Sequence, residues 1–125
     1  MSHNAYTKNQ NRASAPRDGE YLAFTKATRG LMAADEAGCE NLKALIEAID
    51  FNRRLWDVLA SDCANDENGL PLETRAGIIS LSRWVHTHSS AVMRKAENLE
   101  PLIEINRMMM DGLSGGSAQE QGTEG

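Results

Sequence analysis

The chain has 125 residues, enough for one domain with a single core and no need of metal or disulfide staples. Apolar residues make up 41% and charged residues 25%, an ordinary soluble balance; aromatics are only 5%, so Leu, Ile, Val and Met must fill the core. The net charge of -5 excludes nucleic-acid attraction by bulk charge, and no apolar run approaches the roughly 20 residues of a membrane helix.

Residues 1–15 read as a flexible polar tail, rich in Asn, Ser, Thr and Gln and without apolar period. Met1 to Asn11 has no secretory signal character, so a bacterial cytoplasmic chain with two reduced thiols, Cys39 and Cys63, is expected. The domain is expected over 16–113. Pro16 opens the first helix, with Asp18 and Glu20 near its positive end. Tyr21, Phe24, Thr25, Thr28, Leu31 and Met32 follow the i, i+3, i+4, i+7 template, and Gly38 ends the segment.

The second helix carries the strongest stripe: Leu42, Leu45, Ile46, Ile49, Trp56, Leu59, Ala60 and Cys63. Phe51, Leu55 and Val58 lie off it, so this helix is apolar around much of its circumference and belongs at the centre. The stretch NDENGLP marks a loop. Pro71 opens a third helix with Ile78, Leu81, Ser82, Val85, Ser89 and Val92 inward; Arg94 and Lys95 suit its C-terminal end. Asn98 can cap a fourth helix, whose stripe is Leu102, Ile105, Asn106, Met109 and Leu113 and which Gly112 and Gly115-Gly116 end. From Ser114 to Gly125 the Gly, Ser, Gln and Glu composition predicts a disordered C-terminal tail. No strand pattern competes. The fold class is all-α: a small antiparallel bundle of about four helices, or an open three-helix arrangement with the fourth packed elsewhere.

No catalytic residue set stands out, and no cofactor or metal is expected. His86 and His88 are two apart and point roughly 200° apart on a helix, so they read as rim polar positions. Cys39 and Cys63, placed on different turns of one predicted helix, are separated by roughly 36 Å of helix rise, which bars a disulfide if that helix is continuous. Asp57, Asp62, Asp66 and Glu67 lack the ordered calcium-loop spacing and read as solvated charge. Arg53, Arg54, Arg75 and Arg83 are diluted by acids, so a helix-turn-helix reader is disfavoured.

Two features point to a partner surface. Met108, Met109 and Met110 are consecutive and cannot all face one core, and Met suits adaptable binding surfaces. Trp84 lies off the main stripe of its helix. A groove accepting a partner helix follows as an expectation. Asn52 and Arg53 interrupt the central stripe and either build a buried polar network or face a cleft.

The blocks AIDFNRRLWDVLASDCA, NGLP, IISLSRWV, SSAVMR and PLIEINRMMMDGL, with TRGLM upstream, resemble the FlaF family of flagellar biosynthesis regulators of alphaproteobacteria. The resemblance covers about residues 5 to 113 and leaves out the Gly/Ser/Glu tail. It implies a cytoplasmic flagellin-binding chaperone that promotes flagellin synthesis and secretion. FlbT, a regulator acting at flagellin messenger RNA, is implied as a further partner. An alternative is post-transcriptional action on flagellin mRNA, directly or through FlbT, without holding flagellin. The family offers no catalytic residues.

Overall fold

The computed structural model describes the backbone over residues 15–124 and side chains over 19–38 and 40–113. Within this range every element is helical and no strand occurs. Helix α1 spans Ala15–Ala37, a single 3-10 turn spans Gly38–Glu40, and helix α2 spans Leu42–Ala64. Helix α3 spans Leu72–Met93 and helix α4 spans Glu100–Glu124.

The ends follow from local chemistry. Gly38 adopts a φ of +70°, a left-handed conformation cheap for glycine alone, and α1 stops there. Asn41 Oδ1 then accepts from the Ala44 N–H at 3.1 Å, capping α2. The turn and the cap separate Cys39 from α2, so the two cysteines do not share one helix as expected. Cys63 lies at the far end of α2, which is about 34 Å long. α3 ends in a Schellman arrangement: the Ala96 N–H reaches Ala91 O at 2.8 Å and the Lys95 N–H reaches Val92 O at 2.9 Å. Lys95 occupies the left-handed position with a φ of 64°. Asn98 Oδ1 accepts from the Glu100 N–H at 3.1 Å, just ahead of α4.

α4 runs on past Gly112, where the sequence pattern ends it. Glycine costs a helix about 1 kcal/mol relative to alanine but does not forbid it. The tail expected over 1–15 falls almost wholly outside the described residues, as do the side chains of the segment expected to be disordered from Ser114.

Side-chain pairs set the topology. Phe24 meets Trp56 edge to face, with ring centroids 5.5 Å apart, and Lys26 lies over Phe51, 5.1 Å from its centroid, so α1 and α2 run antiparallel. Arg53 reaches Ser90 and Arg75 reaches Cys63, so α2 and α3 are antiparallel. Thr28 approaches Met110 and Arg107 approaches Met32, which makes α1 and α4 antiparallel. The product is a small all-α bundle in which α2 lies against both α1 and α3, while α4 lies along α1. Consecutive α3 and α4 touch sparingly, so the ring of helices is least filled at the α3–α4 seam. Phe24, Leu31, Ile49, Trp56, Val85 and Leu102 form the centre of the core.

Candidate partner-binding site

Two of the large apolar side chains that the core leaves uncovered, Trp84 and Met108, stand on α3 and α4, the helices on either side of the least filled seam. Trp84 is 39% exposed on α3 and stacks on His88, with centroids 4.9 Å apart and planes 21° from parallel. His88 is buried, and its Nε2 lies 2.9 Å from Asn98 O in the α3–α4 connection. The expected rim position therefore holds for His86, which meets Asp57 at 2.6 Å on the surface, and fails for His88. His88 turns inward because the indole and the connection carbonyl together cover it.

The methionine run splits as helical geometry demands. Met108 is 66% exposed. Met109 is half-buried and packs on the core from the outer flank of α4. Met110 is half-buried and faces α1, its sulfur 3.7 Å from Thr28 Oγ1. That hydroxyl has one proton, and it donates more closely to Phe24 O at 2.6 Å, so the sulfur contact is packing in the main. Helical spacing puts Ile105, Met108 and Met109 on the flank of α4 away from α1. Leu81, Trp84 and His88 lie at i, i+3, i+7 on α3. The seam thus has adaptable, polarizable side chains on one wall and an aromatic pair on the other.

Asn52 and Arg53 separate in role. Asn52 is fully buried and joins a network with α4: Asn106 Nδ2 donates to Asn52 Oδ1 at 2.7 Å, and Trp56 Nε1 donates to Asn106 Oδ1 at 3.0 Å. Arg53 is partly exposed and donates from Nη2 to Ser90 Oγ at 2.6 Å. Among the described residues three covered side-chain polar atoms have no partner: Asn52 Nδ2, Arg53 Nε and Ser89 Oγ.

The acidic residues near the end of α2 disperse onto separate partners. Asp62 accepts from Asn68 Nδ2 at 2.9 Å, and Asp66 lies 3.5 Å from Arg75. Arg75 also donates from Nε to the Cys63 carbonyl at 2.7 Å, satisfying an end of α2 that lacks basic residues of its own. Among the described residues no group of three His, Cys, Asp or Glu side chains is placed to hold a metal, and no helix is long and apolar enough to cross a membrane.

Burial pushes the Cys63 thiol above its ordinary value of 9.0, with the charges of Asp62 and Glu20 adding and Arg75 opposing. Folding therefore favours the protonated thiol. That contribution is complete below pH 9 and is lost as pH rises through the raised folded value. Urea unfolding of the native chain should show stability falling across this window more steeply than in Cys63→Ala; equal slopes in the two proteins would refute it.

One feature escaped the sequence reading. An open groove of about 510 Å³ runs between α1 and α2, lined by Ala27, Gly30, Ala33, Ala34, Ala44 and Ala48 among others. Its only sequence signal is small residues at helical spacing on both strips, a pattern that also describes close helix packing.

A family model described as "Flagellar protein FlaF" matches residues 2–113. No curated protein and no solved structure matches the chain.

Proposed function

The chain belongs to the FlaF family of flagellar proteins, and from that premise we propose that it binds flagellin as an export chaperone in the bacterial cytoplasm. In this reading it holds flagellin and promotes flagellin synthesis and secretion, and it carries out no catalysis. The observation that supports it is that Trp84 and Met108 are both exposed, on the two helices α3 and α4 that touch sparingly. An apolar helix face laid into that seam would find anchors at i, i+3, i+4 and i+7 spacing. Covering such a face on a subunit would also keep it from assembling early.

Calorimetry of the purified chain against monomeric flagellin tests this, with flagellin leader RNA and FlbT as parallel titrants. Saturable one-to-one binding of flagellin supports the reading. Tight binding of RNA or FlbT without flagellin replaces it with post-transcriptional control, acting on the messenger directly or through FlbT. Trp84→Ala combined with Met108→Ala should weaken flagellin binding roughly tenfold or more, as expected when a central aromatic anchor is truncated. Met108 is exposed but Trp84 covers His88, so the double variant should lose about 0.5–3 kcal/mol and stay folded, which urea unfolding checks. Unchanged affinity with intact folding would place the flagellin site elsewhere.

A further inference from the structure

The edge of the bundle where α2 meets α3 carries a cation without an anion. Arg53 lies there with its Nε covered and unpartnered, and its Nη2 donates to a neutral hydroxyl on Ser90. Among the described residues no carboxylate is in ion-pair contact with it, whereas Arg54 is paired with Asp50 and Lys43 with Glu47. A partly buried guanidinium is costly unless its charge is answered.

The surrounding layer has the same deficit. Asn52 and Ser89, which directly precede Arg53 and Ser90 in the chain, each hold a covered polar atom without a partner, Nδ2 and Oγ. An amide nitrogen and a guanidinium nitrogen can only donate, so what this layer lacks is an acceptor. Asn52 is fully buried, so a group from outside reaches only the partly exposed guanidinium, and there a carboxylate fits because two oxygens and a negative charge match the donor fork.

The same face of α2 continues as apolar surface. Ile46 precedes Arg53 by seven residues, two turns or about 10.5 Å, and is 44% exposed. Leu42, one turn further, is 56% exposed. Arg94 and Lys95 stand exposed at the end of α3 beside this stretch, with no ion pair among the described residues.

We propose that the α2–α3 edge centred on Arg53 binds a carboxylate carried by an amphipathic partner helix, whose acid lies about two turns from an apolar residue resting on Leu42 and Ile46. This site is separate from the α3–α4 seam and does not depend on flagellin being the partner. An acid on the partner supplies the acceptor, and the apolar contact fixes its register.

The test uses the full chain, labelled with 15N-arginine, titrated with sodium acetate at constant ionic strength against sodium chloride. The expected result is a saturable shift of the Arg53 Nε–Hε resonance with acetate and little response to chloride. Arg53→Met should bind acetate about tenfold more weakly or worse, since a charge-assisted hydrogen bond is lost. It should unfold at a temperature no lower than the native chain, because the unanswered charge is gone. Two helical peptides identical except for Glu or Gln, seven residues from a Leu, extend the test. The Glu peptide should bind roughly tenfold more tightly, and Ile46→Ser should weaken it without altering the acetate response. No acetate shift, an equal response to chloride, equal affinity for the two peptides, or an Arg53→Met variant that melts earlier yet keeps its acetate response would each overturn the proposal.

Discussion

Trp56→Ala is expected to destabilise the chain by about 3–5 kcal/mol, the range for truncating a fully buried large aromatic. Trp56 has no exposed surface, packs edge to face on Phe24 and donates its indole N–H to Asn106. Removing it empties the contact between α1 and α2 and orphans an acceptor on α4. A domain of this size has about 5–15 kcal/mol to lose, so the variant should be partly unfolded at modest urea. Urea unfolding checks this through the midpoint, with the slope unchanged if the native and unfolded states keep their compactness. Trp56→Phe keeps one aromatic ring and loses the pyrrole ring with its donor, so it should cost less than Trp56→Ala. Equal costs for the two variants would mean that the hydrogen bond, and not the packing, dominates.

Asn106→Ala is expected to cost about 2–5 kcal/mol, although it removes fewer atoms. Its amide is both donor and acceptor: it accepts from Trp56 Nε1 and donates to Asn52 Oδ1. Deleting it leaves two buried groups unpaired at about 1–3 kcal/mol each. Asn52 suffers most, because its Nδ2 is already without a partner and the whole amide would then stand alone. A double-mutant cycle with Trp56→Phe isolates the shared bond and should give a coupling energy of about 0.5–3 kcal/mol. A cost below about 1 kcal/mol for Asn106→Ala would show that water repairs the network.

These two residues also show how far the pattern of residues could be read. The apolar stripes mark the core faces well, since Phe24, Ile49, Trp56, Val85 and Leu102 are all buried where their period puts them. Asn52 and Asn106 stand on such stripes, which signals a buried polar layer. Their pairing across 54 positions is a matter of how α2 and α4 meet, and no local spacing encodes it. The same reason hides the place of His88. Its inward turn depends on Trp84 and on the Asn98 carbonyl of a connection whose path the pattern does not specify. The methionine run gave a firm inference that its members must diverge, but which of them stays outside depends on where α1 lies. The continuation of α4 past Gly112 runs against propensity, as glycine and polar residues give no sign of it. The α1–α2 groove was invisible because alanines that pack closely and alanines that leave space look alike in one dimension.

The partnership of α1 with α4 has a consequence for the order in which the chain is made. Phe24 and Thr28 lie on α1 and leave the ribosome well before Leu102, Asn106 and Met110, which lie on α4. α1, α2 and α3 can join as neighbours during synthesis, closing short connections at small entropic cost. The flank of α1 that receives Met110, and the indole N–H of Trp56, stay uncovered until α4 emerges. The nascent chain thus carries open apolar surface from the emergence of α1 until that of α4, the interval in which a growing domain is most exposed to misassembly. A premature stop before Leu102 would leave it in that condition for good.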